Sequence, residues 1–419
     1  MATIQAAIGR VEPGHTVWVT AGAYAGFAVK RSGAPERPVT VSGVPGTMPS
    51  IKPADGSLTT IDLSDAHDIA LVNLAIEGPG GQEGSAVYLD GSERIRIAGN
   101  TIERTRRGFG VEVRFSAAVQ IDDNEIADNA VGIRLFGEGS SGSVHDVVIS
   151  RNRIHNSNSM IVDDPTPDND FGANAIIWHK VTGRTSAIDN EIWDNHAPSH
   201  DYGSDGGAFE IWGSSNLTIS GNTAWNNENV METGSDGPPC ADITFVRNTA
   251  WVTQHGVGLI LRCAENGLVA HNLIDGVDDY AFSLSDRSGG NQFATSIVGL
   301  RILDNIVVDS LVYDIGNPIP ESVETDYNLV WESLHVPVAR LPGGRFARTM
   351  GELSRLTGRE QHSLQARPLF VDAADRDYRL LGGSPGIDAA SLTAPGEPFQ
   401  GAAPDIGPNE GAVLLPSPS

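Results

Sequence analysis

Basic residues are scarce in this chain. Its 419 residues include 28 Lys and Arg against 53 Asp and Glu, a formal net charge of −25, although charged residues make up only 19%. A phosphate backbone would be repelled, which excludes the nucleic-acid-binding classes. A strongly anionic polymer would need a local basic patch. Cysteine is almost absent: two residues exclude a disulfide scaffold and a cysteine-built zinc site. No run of 18 apolar residues exists, so no helix is expected to span a membrane. The opening MATIQAAIGR has no apolar h-region, so the chain as given reads as the mature form of a secreted protein, extracellular or periplasmic, without its leader. No P-loop or HExxH signature occurs.

What is abundant is turn material, with 48 Gly and 24 Pro among many β-branched residues. The length would allow two or three domains, but a repeat architecture can use all of it. One phrase recurs nine times: I-x-x-N-x-I/A, with a second Asn or Asp four or five residues on. Aligning the phrases superposes Asn73, Asn100, Asn124, Asn152, Asn190, Asn222, Asn248, Asn272 and Asn305, spaced by 27, 24, 28, 38, 32, 26, 24 and 33 residues. A base period near 24 with insertions is a solenoid signal. The L-x-x-L-x-L of leucine-rich repeats and the 3.6 period of helical repeats are both missing. The fitting class is all-β: one parallel β-coil per repeat, stacked about 4.8 Å apart. Asn at each bend tolerates left-handed geometry and offers an amide to the next coil.

The two ends carry a resemblance. The opening, with Ile4-Gln5-Ala6-Ala7-Ile8, Pro13-Gly14, Gly22, Tyr24 and Pro38, is similar to the start of many right-handed parallel β-helix proteins of the pectate-lyase-like superfamily. The tail is similar to the closing segment of bacterial members, with Pro368 to Asp372, Tyr378-Arg379-Leu380, Ser384 to Asp388 and Asp405-Ile406-Gly407. The resemblance implies a single-stranded right-handed parallel β-helix with an N-terminal capping helix and a C-terminal cap, in a carbohydrate-active protein. The expected layout is a β-helix over residues 1–310, with insertions at 157–174 and 196–207. Residues 311–419 supply last coils, a short helix and the closing segment.

Alternation along each strand separates core from surface. Counting back from each Asn makes Val87, Leu89, Val111, Val113, Ile133, Leu135, Phe209, Ile211, Leu259 and Leu261 inward. The outward positions form two columns. One holds Tyr88, Glu112, Arg134, Ile177, Glu210, Glu232, Ile260 and Ser283. The other holds Asp90, Arg114, Phe136, His179, Trp212, Arg262 and Ser285. Aromatic side chains are out of place on a purely solvated face. The insertions add Asp163, Asp164, Asp168, Asp170, Asp201 and Asp205, and loops flanking one strand face are where solenoids build grooves.

Glu210 and Glu232 on neighbouring coils would lie roughly 5 Å apart. Paired carboxylates divide into an acid and a base or nucleophile, which is glycosidase chemistry. Asp205 and Asp201 are alternative acids. His179 can serve as a base or a donor to substrate, and Trp212 and Trp178 as stacking platforms for sugar rings. Arg134, Arg262 and Lys180 support a rival, elimination on a uronate polymer; the run DGGAFEI…NLTISGNTAWNN resembles such lyases, but Glu210 stands at the position where the resemblance implies that Lys is often found. The expected function is cleavage of a polysaccharide or oligosaccharide by a glycoside hydrolase. A lyase or epimerase, or a non-catalytic glycan-binding protein, is the alternative. No cofactor is required, and calcium is possible at 163–170. Trp193, Trp225 and Trp251 share one repeat position and read as a structural stack. Cys240 and Cys263 fall on adjacent coils, where they either pair or pack as thiols.

Overall fold

The computed structural model describes residues 3–413 apart from 82, 139–143, 168, 253–255, 285–295, 317, 334–335, 393–397 and 412. It divides into two compact units, Met1–Leu217 and Thr218–Ser419. Each is a parallel β-helix: every coil contributes one strand to each of three sheets.

In the first unit the first sheet runs from Thr16–Val19 through Glu93–Ala98 and Ala117–Asp122 to Thr185–Ile188. The second is built from three-residue strands such as Thr101–Glu103, Glu125–Ala127 and Arg153–His155. The third contains Ser85–Asp90, Phe109–Arg114, Val131–Phe136, Asn174–His179 and Gly207–Trp212. The inward residues are those expected from alternation: Val87, Leu89, Val111, Val113, Ile133, Leu135, Phe209 and Ile211 are all fully buried. Their apolar stacks supply the main driving force of each coil.

The recurrent Asn forms a buried amide ladder. Asn100 Nδ2 donates to Asn124 Oδ1 at 3.0 Å, Asn124 to Asn152 at 2.9 Å and Asn152 to Asn190 at 3.0 Å. The same oxygens accept the backbone N–H of the preceding rung. Two expectations need correction. The left-handed residue at the bend is the one before the Asn: Gly99, Asp123, Arg151 and Asp189 have φ of 65°, 54°, 52° and 54°. The Asn keeps ordinary geometry so that its side chain can reach the ladder. Asn73 is not a rung either. Register pairs Val72 with Ala98, so Asn73 (φ 54°) occupies the bend and Leu74 the ladder position. The Leu74 N–H caps the ladder by donating to Asn100 Oδ1 at 3.0 Å.

The N-terminal helix Ile4–Ile8 is capped by the Thr3 side chain. Gln5 closes the first coil, exchanging 2.9 Å hydrogen bonds with both backbone groups of Ala28.

The second unit repeats the design. Its ladder runs Asn222, Asn248, Asn272, Asn305 and then Asn328, a rung that the sequence alignment missed. The Asn328 amide ends 3.3–3.4 Å from the buried Glu360 carboxylate. Cys240 and Cys263 are bonded as a disulfide. The helix Met350–Thr357 has Thr349 as N-cap and Gly358, at φ 73°, as C-cap. Beyond Leu364–Gln365 the described residues add no coil. Its tail instead packs Tyr378, Leu380 and Ile406 against Leu273, Ile306 and Leu329 of the second sheet.

The aromatic repeat position is structural in both units. Trp193 stacks on His155 at 4.2 Å, and Trp225 on Trp251 at 5.1 Å. Among the described residues no helix is long and apolar enough to cross a membrane.

Candidate functional site

In the first unit the two outward columns stand in the expected register. Tyr88, Glu112, Arg134, Ile177 and Glu210 align across five strands, as do Asp90, Arg114, Phe136, His179 and Trp212. Register adds a third column, Ser85, Phe109, Val131, Asn174 and Gly207.

The columns are not uniformly open. The insertion at 157–174 forms an antiparallel hairpin, Met160–Val162 against Phe171–Gly172. It roofs the strand face: Ile161, Val162 and Phe171 pack on Phe109, Val131 and Ile177, and Ile177 is only 1% exposed. Arg134 sits among rings, 4.7 Å from Phe109, 4.6 Å from Phe136 and 5.9 Å from Phe171. Beside it lies the buried Glu112, which accepts from Ser85 Oγ at 2.7 Å and faces Arg134 at 3.7 Å. Burial raises the Glu112 carboxyl, against the pull of Ser85, Arg134 and Arg114.

The insertion at 196–207 makes a second hairpin, Ala197–Ser199 against Gly203–Asp205. The two hairpins are latched by carboxylates. Asp170 accepts from Ser199 Oγ at 2.7 Å and from the Asp201 amide at 2.8 Å. Asp201 accepts from the amides of Asn169 and Asp170, and Asp163 from that of His200. Burial alone would raise the Asp170 carboxyl, but the donors from Ser199 and the amides of 201, 164 and 200 outweigh it and lower it. Asp164 accepts from Thr166 and Asn169. Asp201 is thus a brace between hairpins rather than a carboxylate aimed at the strand face. Among the described residues no group of three or more His, Cys, Asp or Glu converges on a metal position. Asp168 and Ser285 lie outside the described residues.

Past the roofed stretch the face is half-exposed. Glu210 and Trp212 project from one face of Gly207–Trp212, and His179 is the register partner of Trp212. The Asn174 amide donates to Glu210 Oε2 at 2.6 Å. His179 meets the Phe136 ring edge-on at 5.1 Å. Lys180 occupies the left-handed bend after the strand, φ 55°, with its backbone N–H on Trp212 O. Asp205 ends its hairpin, accepting from the Gly206 N–H at 2.7 Å.

Trp178 does not belong to this face. It aligns with Leu135 and Ile211, is fully buried, and donates Nε1–H to Thr185 Oγ1 at 2.9 Å. Alternation decides this: once His179 faces out, its neighbour must face in.

In the second unit Glu232 aligns with Ile260, and Ile260 with Ser283. Glu232 is ion-paired with Arg262 at 2.9 Å. Burial raises its carboxyl, and Arg262 opposes that rise. Glu210 belongs to the first unit and Glu232 to the second.

Sequence reasoning missed Asn174, Ser85 and the closing of Glu112. Extending the alignment three residues upstream of the first column would have found the first two. The closing needed the path of the hairpin.

The comparisons with known proteins agree with this architecture. Residues 59–177 match the family model described as right handed beta helix region. A pectate lyase, Pel9A, has a similar structure at 13% identity, with 97% of this chain and 90% of that chain covered and a TM-score of 0.57. The tailspike protein of E. coli bacteriophage HK620, solved as a double mutant in complex with a pentasaccharide, is similar at 10% identity, 81% and 74% coverage and a TM-score of 0.50. No curated protein matches. At these identities the likeness is one of fold, and the fold of this chain is the right-handed parallel β-helix.

Proposed function

We propose that this protein is a carbohydrate-active enzyme that hydrolyses glycosidic bonds at the open end of the third-sheet face in the first unit. One observation carries the reading: a hydrogen-bonded carboxylate, Glu210, and an indole, Trp212, share one strand face with His179 in register beside them. A flat apolar ring binds a sugar face, and a fixed carboxylate supplies proton transfer or nucleophilic attack. Asp205 is the partner acid to test in this unit, with Glu232 tested in parallel. The disulfide supports a location outside the cytoplasm.

Elimination on a uronate polymer is the second reading. It draws on the cations Arg134, Arg262 and Lys180 and on the fold shared with a pectate lyase. The ion pair with Glu232 engages Arg262 and weakens its candidacy as a base. A panel of neutral and uronate glycans, read for reducing ends and for the ultraviolet absorbance of unsaturated products, separates the readings. Reducing ends without absorbance support hydrolysis, and absorbance supports elimination. Binding without either product leaves a glycan-binding protein.

A further inference from the structure

Asn174 is 5% exposed and sits three residues before the outward Ile177, at the start of its strand. Both of its amide hydrogens are directed at acceptors. One goes to Gly172 O at 2.9 Å and the other to Glu210 Oε2 at 2.6 Å. This fixes the orientation of the amide, since a carbonyl oxygen aimed at either partner would face another acceptor. Gly172 is itself closely packed. At φ +147° it lies so close to the facing hairpin strand that a Cβ would sit 2.7 Å from Met160 Cα and 2.9 Å from Ile161 N. The roofing hairpin thus sets Gly172, Gly172 sets the Asn174 amide, and the amide sets one oxygen of Glu210.

A donor this well fixed favours an oxygen that only accepts. We propose that Asn174 is a positioning residue that holds Glu210 as an ionised carboxylate, which makes Glu210 the nucleophile or base of the cleavage and leaves the acid role to another carboxyl. This rests on the reading that Glu210 works on the glycan. The asymmetry matches what bond cleavage at a sugar requires, one group giving a proton and one ready to attack or to take a proton. Asn174 touches no substrate; it acts through Glu210 and through the hairpin behind it.

The test has one arm that needs no substrate. Side-chain carboxyl NMR of the full chain, with Glu210 assigned by Glu210→Gln, follows its titration in the native protein and in Asn174→Ala. The midpoint is expected to move to higher pH in the variant. In Asn174→Asp, where two carboxyl groups face each other, the shift should be larger. An unchanged midpoint in a folded Asn174→Ala overturns the proposal. If that variant does not fold, the native protein still decides. The Asn174 side-chain amide signals should move with the Glu210 titration, and amide signals indifferent to it overturn the proposal. The second arm uses whichever glycan of the panel is cleaved. In Asn174→Ala the acid limb of the pH–rate profile should move to higher pH and kcat should fall more than tenfold with KM little changed. A fall in kcat at every pH with no movement of the limb would mark a merely structural role and count against the proposal. Absence of all cleavage by the native protein would sink the enzymatic reading while leaving the titration result intact.

Discussion

Glu112 and Glu210 occupy the same outward column of the same sheet, yet they have become different objects. Glu112 lies under a hairpin, with Ser85 and Arg134 as partners and an apolar roof over its neighbours. Glu210 lies past the roof, half-exposed, on a strand that also presents Trp212. Position in the repeat is therefore no guide to role. What separates the covered carboxylate from the open one here is what the loop at the coil corner places on top of it.

The largest expected effect tests that contrast directly. Glu210→Gln should lower turnover at least about a hundredfold, because acid–base catalysis alone is worth about 10² to 10⁴. Glu112→Gln should leave turnover within about threefold, by the same rate scale. Steady-state kinetics at unchanged melting temperature reads both, and equal losses would break the contrast.

Removing part of the roof sharpens it. Phe171→Ala strips the ring from Ile177 and Arg134 and should cost about 1–3 kcal/mol in denaturant unfolding of the first unit. Hydrogen exchange should rise in Phe109–Arg114 and Val131–Phe136 more than in Gly207–Trp212. A uniform rise would show that the hairpin does not divide the face.

A smaller change comes at the open end. Trp212→Ala should raise KM by up to roughly tenfold, the equivalent of about 0.5–1.5 kcal/mol, with kcat little altered. A loss confined to kcat would move Trp212 out of substrate stacking.

The smallest effect is a slope. Burial raises the folded-state pKa of Glu112 above its ordinary 4.5, so its contribution to stability is complete below that value and is lost as pH rises through the raised one. Glu112→Gln should therefore flatten the fall in melting temperature as pH rises above 4.5. An unchanged slope would mean that the carboxyl is better solvated than its surroundings imply.

The coils were legible because two simple periods are written in the chain. Alternation fixes inside and outside within a strand, and the Asn recurrence fixes the strand-to-strand alignment. Leu74 escaped because Asn73 offers the same residue one place too early, and a motif cannot see which of two adjacent residues bends left. Trp178 was misplaced because an indole beside a histidine suggests a sugar platform, whereas parity forces one of any two neighbours inward. The roof was not legible at all. The Asp-rich insertions announce polarity, but Ile161, Val162 and Phe171, which do the covering, are too few for periodicity to register. The same carboxylates that suggested calcium are used to bind amides of the facing hairpin.

Both hairpins are spliced into the same corner, between the second and third sheets, and the strands after them resume the shared alignment: Val131 with Asn174, and Asn174 with Gly207. The successive ladder residues Asn124, Asn152 and Asn190 stay bonded although 28 and then 38 residues separate them. A lineage of such chains can therefore lengthen or delete a corner without disturbing the apolar interior. What covers the strand face becomes a trait inherited through insertions, and comparing descendants by their substitutions alone would overlook where they diverged.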